Sequence, residues 1–178
     1  LEVCAVGPTA RAAGVDWDVR RDDPYAAYGE LDFEVVVEKS GDVLAQILVR
    51  LGEVLQSIEI IRQAVDRLPT GPVRTDPPRK IDPNEAVGRG EAPRGELLYY
   101  IISNGTDKPE RVRIRTPTYG NLLTWKRMFR GQTIAEIPIV LACIDPCMAC
   151  TDRVSLVDAE SGEARSVTLG ELRRMKSW

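Results

Sequence analysis

The longest regular pattern of apolar positions in the chain runs from Asp42 to Leu68. Apolar residues recur there every three or four positions, as they do on one face of an α-helix. Asp42 is placed to cap this helix, and Pro69 and Gly71 end it. The pattern therefore predicts one long helix that serves as core scaffold and carries no chemistry itself. Its apolar positions are Val43, Leu44, Ile47, Leu48, Leu51, Leu55, Ile58, Ile61, Val65 and Leu68.

Shorter apolar or alternating runs predict β-strands. Residues 33–37 are rich in β-branched side chains and predict one short strand. Residues 97–102 and Arg111–Arg115 flank a polar turn and predict a β-hairpin, and residues 154–158 and 166–169 predict a second one. Small antiparallel hairpins are therefore expected on the C-terminal side of the long helix.

The remaining segments predict short helices and loops. Residues 121–130 have amphipathic spacing that ends at Gly131, which predicts a short helix. Residues 134–141 are apolar and interrupted by Pro138, and the pattern alone does not assign them. The proline-rich segment 69–90 suits either a linker or an ordered loop, of which we favour the loop. Together these elements predict an α+β fold with one long helix, several short helices and small antiparallel hairpins.

Composition and charge narrow the classes of protein that remain. The 178 residues are 43% hydrophobic and 29% charged, which is typical of a soluble globular domain with a real core. A net charge of -3 gives no electrostatic reason to expect nucleic acid as a partner. No apolar run approaches the ~20 residues that a membrane-spanning helix needs. The absence of histidine excludes Ser-His-Asp nucleophiles, H-E-x-x-H metalloproteases and mixed Cys/His zinc sites.

Two cysteines near the end of the sequence carry the strongest chemical signal. Cys147 and Cys150 are three residues apart, so one turn of backbone brings both sulfurs to the same side. Pro146 fixes the φ angle at the start of that turn, and Asp145 adds an acceptor or proton carrier beside the sulfurs. Such thiolates either bind a soft or borderline metal or form a redox disulfide. Cys4 stands apart and is interpreted as a small apolar residue.

Three other kinds of cysteine site fit the context less well. Cys143, Cys147 and Cys150 have the C-x-x-x-C-x-x-C spacing of radical-SAM enzymes, but those enzymes place the motif before most of a barrel, and only 28 residues follow Cys150. A zinc ribbon needs a second C-x-x-C pair. A thioredoxin-like motif belongs near the start of an α/β domain. Redox and structural roles remain the alternatives to a metal site.

The nine-residue string from Asp145 to Arg153, Asp-Pro-Cys-Met-Ala-Cys-Thr-Asp-Arg, resembles the C-terminal metal-binding motif of nickel–iron hydrogenase large subunits. Its Arg ending is similar to the membrane-associated, energy-converting branch of the formate hydrogenlyase type. Ala-Pro-Arg-Gly at 92–95 and Thr-Pro-Thr at 116–118 precede it in the family's order. Residues 14–25 also resemble a segment shared with the quinone-site subunit of respiratory complex I.

The resemblance implies a metal role for the two thiols and a proton role beside them. Cys147 would be a terminal nickel ligand, and Cys150 would bridge nickel and iron. Arg94 and Asp145, with Pro93, would lie over the open metal position, where a guanidinium beside a carboxylate polarises H2 and helps to pass its proton on. Without the resemblance, Arg94 would be interpreted as a surface ion-pair residue.

The resemblance also assigns residues to the ligands of the iron. Thr118 would donate a hydrogen bond to an iron-bound cyanide, while Pro117 and Ile114 would line the apolar pocket for carbon monoxide. On its own, Thr118 is equally well an ordinary strand or turn residue. Tyr99 stands where many relatives carry a histidine, so a proton-transfer role at that position is in doubt.

The family needs a second Cys-x-x-Cys pair in the N-terminal half of the subunit, and none precedes Cys143 here. The chain thus supplies two of four thiolates, and residues 1–153 are expected to be the C-terminal part of a large subunit. Its expected partners are the N-terminal half, an iron–sulfur small subunit and membrane subunits, on the cytoplasmic side of the membrane. The alternative functions are a nickel-free, quinone-reductase-like subunit related to complex I, which lacks the two cysteines, and a non-catalytic assembly subunit.

Residues 154–178 are expected to be a C-terminal extension. Mature relatives end at the position of Arg153, because an endopeptidase removes the residues beyond it once a nickel chaperone has delivered the metal. The resemblance therefore predicts cleavage between Arg153 and Val154, with few contacts between the extension and the core. The alternative is an integral hairpin that is never cleaved.

Overall fold

The computed structural model describes residues 4–151, 153–158 and 160–174. The helices are Pro8–Arg11 (α1), Val19–Asp22 (α2), Val43–Asp66 (α3), Pro117–Leu122 (α4), Trp125–Met128 (α5), Ile137–Ile144 (α6) and Leu169–Arg174 (α7). The strands are Asn84–Ala92 (β1), Gly95–Ser103 (β2), Arg111–Arg115 (β3), Arg153–Val157 (β4) and Ala164–Thr168 (β5), and 3-10 turns lie at Tyr28–Glu30 and Met148–Thr151. This arrangement confirms the predicted α+β class. Within these residues, no helix combines the length and apolar character that crossing a membrane requires.

The long helix α3 forms as predicted, but most of its apolar face is not part of a core within this chain. The Asp42 carboxylate caps it by accepting a hydrogen bond from the Ala45 N–H at 2.8 Å. The residues that α3 buries include Ala45 and Val49, which pack with Ala12 and the half-buried Val36. The predicted core side chains are mostly exposed; among them are Leu44, Ile47, Leu48, Leu51, Leu55, Ile58, Ile61 and Val65. The prediction that these apolar positions belong to a core is therefore wrong for the packing within this chain.

The strand predicted over residues 33–37 is also wrong, because this extended segment has no partner strand in the described part of the chain. Side chains of α3 satisfy its backbone instead. Gln63 exchanges two hydrogen bonds with the main chain of Asp32, at 2.9 and 2.6 Å, and Gln56 accepts one from the Glu34 N–H at 3.0 Å. The segment lies along the helix without joining a sheet.

The main sheet is antiparallel with β2 in the centre, in the order β1-β2-β3. The pairing of β2 with β3 confirms the predicted hairpin. Strand β1 falls largely within the predicted loop 69–90, where glycines and charged residues hide a strand pattern. Ala92 pairs with Gly95, so Pro93 and Arg94 form the two-residue tip of the β1–β2 hairpin. This tip projects the Ala-Pro-Arg-Gly motif toward the cysteine turn.

The helices that follow carry the chain to the cysteines. The single helix predicted over residues 121–130 is two short helices, α4 and α5, with Thr124 between them. Helix α6 overlaps the apolar segment 134–141, which the sequence pattern alone did not assign, and it ends where Asp145 adopts the left-handed conformation (φ 52°, ψ 60°). Strands β4 and β5 pair as the second predicted hairpin, and α7 packs on β5.

Candidate functional site

The tip of the β1–β2 hairpin meets the end of α6 through a two-point contact. Arg94 Nη2 lies 2.9 Å from Asp145 Oδ2, and Arg94 Nε donates a hydrogen bond to the Asp145 carbonyl. The left-handed conformation of Asp145 lets its carboxylate and its own carbonyl both face the guanidinium. The structure therefore brings together the two residues that the sequence paired for proton chemistry.

The two thiols of the Cys-x-x-Cys turn share one hydrogen bond. The hydrogen bond from the Cys150 thiol lowers the pKa of Cys147, and the N–H groups of Cys150 and Ala149, with the charge of Arg94, act in the same direction. Burial raises the pKa of Cys150, and its hydrogen bond to Cys147 raises it further. The first proton therefore leaves the Cys147 side of the pair, which prepares one thiolate for a soft metal.

Thr118 connects the start of α4 to the thiol pair. Its side chain is fully buried, and its hydroxyl oxygen accepts a hydrogen bond from the Cys147 N–H at 3.3 Å. Hydrogen bonds from Thr118 and Thr116 to the Cys150 sulfur partly offset the rise in the pKa of that thiol. Pro117 is buried beside Thr118 in the first turn of the same helix.

The other predicted site residues are less closely gathered. Pro93 lines a cavity together with Asp145, whereas Ile114 is 52% exposed on β3, where it pairs with Tyr99. Arg153 and Val154 begin β4 and pair with Thr168 and Val167, and their side chains lie outside the described residues. The assigned roles of Ile114, Arg153 and Val154 stay predictions.

Asn121 is a positioning residue that the sequence did not reveal. It is fully buried, and its amide donates hydrogen bonds to the carbonyls of Arg94 at 3.1 Å and Val6 at 3.3 Å. Its oxygen accepts the Val6 N–H at 2.9 Å. A Cβ atom added to Gly7 would lie 2.3 Å from the Cα of Gly95, so the backbones of these two glycines are in direct contact. Two segments that are distant in sequence, at Val6–Gly7 and at Asn121, thus fix the backbone at Arg94 and Gly95.

A buried charge cluster lies beside this site, and the sequence analysis missed it as well. Arg11 is 2% exposed; its Nε lies 2.7 Å from Glu53, and its Nη1 lies 3.0 Å from Glu91 and 3.4 Å from Asp18. Arg20 holds Asp18 with two further side-chain bonds at 2.9 and 2.6 Å. The only signal in the sequence is charged residues within short, partly apolar segments, which is also typical of solvated loops.

Burial and ion pairing act in opposite directions on the carboxylates of this cluster. Burial alone would raise the pKa of Asp18, but its bonds to Arg20 and the charge of Arg11 outweigh it, so this pKa is lowered. For Glu53 and Glu91, burial outweighs the attraction of Arg11, and both pKa values are raised. The cluster therefore contains one firmly ionised carboxylate and two that hold protons more readily.

A cavity of about 360 Å³, with both charged and apolar side chains in its walls, extends from this cluster to Asp145. Its walls include Arg11, Arg20, Arg50, Glu53, Ser57, Glu91, Pro93 and Asp145. Among residues 4–151, 153–158 and 160–174, no group of three or more His, Cys, Asp or Glu side chains is arranged to hold a metal ion. The chain thus presents a thiol pair beside the Arg94–Asp145 contact, and Asp145 also lines the cavity.

The chain belongs to the family of the respiratory-chain NADH dehydrogenase 49 Kd subunit, which it matches over residues 1–87 and 77–153. It is 47% identical over 148 residues to a carbon monoxide-induced hydrogenase of Rhodospirillum rubrum, covering 83% of this chain and 41% of the relative. It is 40% identical over 151 residues to an NADH-quinone oxidoreductase subunit of Dehalococcoides mccartyi, covering 84% of this chain and 41% of the relative.

A solved structure has the same fold. The membrane-bound sulfane sulfur reductase, an archaeal respiratory membrane complex, contains a chain that is 40% identical, with a TM-score of 0.76, over 83% of this chain and 42% of that one. These matches confirm the predicted relation to energy-converting hydrogenases and to the complex I subunit. The chain spans about two fifths of the length of these relatives and is a member of an oxidoreductase family.

Proposed function

We propose that the chain is the C-terminal part of the catalytic large subunit of a nickel–iron hydrogenase and supplies two of the four cysteine ligands of the Ni–Fe centre. The observation that carries this proposal is the hydrogen-bonded pair of Cys147 and Cys150, held beside the Arg94–Asp145 contact. A thiol pair with one lowered pKa suits a soft or borderline metal.

The two thiols of this chain are half of the four cysteine ligands that such a centre needs. The described residues place two thiols together, and a four-coordinate site needs more ligands than these. The relatives are more than twice as long as the matched region, so the remaining ligands are proposed to come from the part of the subunit outside this sequence.

The residues around the thiols have distinct proposed roles. The Ni–Fe group, with its carbon monoxide and cyanide ligands, supplies the chemistry by which H2 is oxidised or protons are reduced. Asp145 accepts or returns a proton, and Arg94 holds that carboxylate in place. The Thr118 hydroxyl accepts the Cys147 N–H and donates to the Cys150 sulfur, and in the assembled centre its proton would turn to an iron-bound cyanide. Pro93, Pro117 and Ile114 are proposed as apolar walls.

The exposed face of α3 supports an incomplete subunit. Leu51, Leu55 and Ile61 are each about three fifths exposed on a helix whose opposite side is already packed. A helix that is apolar on both sides is normally buried on both sides. We propose that the N-terminal half of the subunit covers this face.

The further partners follow from the resemblance and remain proposals. An iron–sulfur small subunit and membrane subunits would complete the complex, on the cytoplasmic side of the membrane. A nickel chaperone and an endopeptidase would act during maturation on the Arg153–Val154 bond. The main contacts of the β4–β5 hairpin are internal and with α7, which is compatible with a removable extension.

The test is metal content in the assembled subunit. The chain is produced together with the N-terminal half of a relative's subunit, and nickel is measured by mass spectrometry. Cys147→Ser and Cys150→Ser are expected to lose nickel, while Cys4→Ser, at an exposed position, keeps it. Full nickel in either of the first two variants contradicts the proposal.

The nickel-free alternative rests on the relatives named as NADH-quinone oxidoreductase subunits. It predicts that the assembled wild-type protein contains no nickel but reduces a quinone with electrons from its complex. Nickel in stoichiometric amount, bound through both cysteines, excludes it.

A further inference from the structure

Arg50 is a cation of α3 that has no ion-pair partner among the described residues. It lies between the buried Val49 and the exposed Leu51, and it is itself half-buried. Its Nη1 donates a hydrogen bond to the Gln46 carbonyl at 3.2 Å, one turn earlier on the same helix. Its Nη2 is buried and has no hydrogen-bond partner within residues 4–151, 153–158 and 160–174. In this part of the chain the guanidinium is thus bonded to a neutral oxygen and not to a carboxylate.

The nearby acids do not supply the missing counter-charge. Glu53 and Asp145 attract the Arg50 guanidinium, but burial is the larger effect and lowers the pKa of Arg50. Glu53 is already paired with Arg11 at 2.7 Å. Asp145 is already paired with Arg94 at 2.9 Å. Arginine stays protonated in proteins, and a charge that is removed from water is normally paired. Arg50 therefore needs an anion from outside the described residues.

A second cavity, between α3 and α6, offers a place for this anion. It has a volume of about 430 Å³ and is lined by Ile47, Arg50, Pro138, Ile139, Ala142 and Cys143. Arg50 is the charged residue of this set, because burial raises the pKa of the Cys143 thiol and keeps it neutral. Ile47 and Ile139 are 43% and 55% exposed, so the cavity opens to the surface beside the exposed face of α3.

The walls of the second cavity favour a carboxylate on a side chain over a free anion. A free anion loses its water shell at an apolar entrance and gains no apolar contact in return. An Asp or Glu side chain brings methylene groups for the apolar walls, and its two oxygens match the planar fork of a guanidinium. Ile47 belongs to the exposed face of α3, so a polypeptide that covers this face also passes the cavity.

We propose that an Asp or Glu side chain of the polypeptide that covers the exposed face of α3 enters the second cavity and pairs with the Arg50 guanidinium. The inference rests on the proposed function, because that proposal assigns the covering polypeptide to the N-terminal half of the subunit. An ion pair enclosed by apolar residues fixes the register of the two parts, since no other register provides a counter-charge for Arg50.

The test uses the assembled subunit, in which this chain is combined with the N-terminal half. Arg50→Met removes the charge, and Arg50→Lys keeps the charge and introduces an amine. Arg62→Met and Arg62→Lys are matched controls, because Arg62 lies on the same helix in an exposed ion pair with Glu59 at 2.5 Å. The dissociation constant of the two parts is measured by dilution in an analytical ultracentrifuge. A carbodiimide, which joins an amine to an adjacent carboxylate, is applied to the two Lys variants, and mass spectrometry identifies the joined residues.

The pairing predicts a specific pattern. Arg50→Met weakens the assembly about thirtyfold or more, because the carboxylate stays buried without its counter-charge. Arg50→Lys recovers part of the affinity, and the carbodiimide joins position 50 to an Asp or Glu of the N-terminal half. In Arg62→Lys it joins position 62 to Glu59 of this chain. Arg62→Met dissociates like wild type, since exposed ion pairs contribute little.

Several results overturn the pairing. One is wild-type dissociation of Arg50→Met, and another is a cross-link from position 50 that is absent or confined to this chain. If acetate tightens the wild-type assembly but not Arg50→Met, and position 50 forms no cross-link, the occupant is a free anion and the polypeptide source is wrong. If neither Arg50 variant assembles, a crystal structure of the wild-type assembly decides. Absence of a carboxylate of the N-terminal half within about 4 Å of Arg50 then overturns the pairing.

Nickel content separates this inference from the proposed function. An assembly that lacks nickel but forms the cross-link from position 50 overturns the hydrogenase proposal and leaves the pairing standing. An assembly that contains nickel but tolerates Arg50→Met without loss of affinity overturns the pairing and leaves the hydrogenase proposal standing.

Discussion

Asn121 is the position where a small change should reveal how the site is held. Asn121→Ala removes the acceptor for the Val6 N–H and both donors to the carbonyls of Val6 and Arg94. Each such bond contributes about 0.5–1.5 kcal/mol, and two of the three are long, at 3.1 and 3.3 Å. The expected loss in the free energy of unfolding is therefore about 2–3 kcal/mol. For a chain of this size, that loss lowers Tm by about 4–12 °C.

The measurement is urea denaturation of the assembled subunit, followed by tryptophan fluorescence. Asn104→Ala is the control, because Asn104 is exposed and its side chain bonds only to nearby Thr106. That variant is expected to lose less than about 1 kcal/mol. A loss below about 0.5 kcal/mol in Asn121→Ala would show that the buried amide does not hold the three segments together.

Three further predictions concern the site and its surroundings. Arg94→Lys should keep nickel but lower turnover about tenfold or more, since lysine lacks the planar fork; wild-type turnover would make Arg94 only an ion-pair residue. Gly95→Ala should unfold at a lower temperature, because the new Cβ would lie 2.7 Å from the Gly7 nitrogen and because φ at this position is +127°. Gly88→Ala is the control and should keep the wild-type melting temperature, since open space surrounds Gly88. Equal melting temperatures of the two variants would exclude a close approach at Gly95. The raised pKa of Glu91 means that the native state binds more protons than the unfolded state above the ordinary glutamate pKa, so its contribution to stability falls as pH rises toward the native pKa. Denaturation at increasing pH above the ordinary glutamate pKa should therefore show a flatter pH dependence in Glu91→Gln than in wild type, and identical slopes would refute the shift.

The parts of the fold that rest on local pattern could be predicted. Helix α3 follows from 24 residues of helical spacing with a capping aspartate, and the β2–β3 hairpin follows from two runs around a polar turn. Periodicity does not say which side of a helix meets its own chain, and the exposed face of α3 shows the difference. Strand β1 was missed because Gly88 and Gly90 interrupt any alternation.

The same distinction between local pattern and long-range contact applies to the candidate site. Cys147, Cys150 and Asp145 occur in one contiguous string, so their proximity could be predicted. Asn121 and Val6 are 115 positions apart, and Arg11 and Glu91 are 80 apart. Only the folded chain brings such pairs together, because no local preference of either residue encodes the contact.

The exposed side of α3 also bears on how such a subunit is produced in a cell. A helix that displays a row of leucines and isoleucines in water is an aggregation risk until other residues cover it. While this face is uncovered, the protein is a target for the chaperones and proteases that remove incompletely packed molecules. The rate at which the face becomes covered therefore affects how much folded protein accumulates.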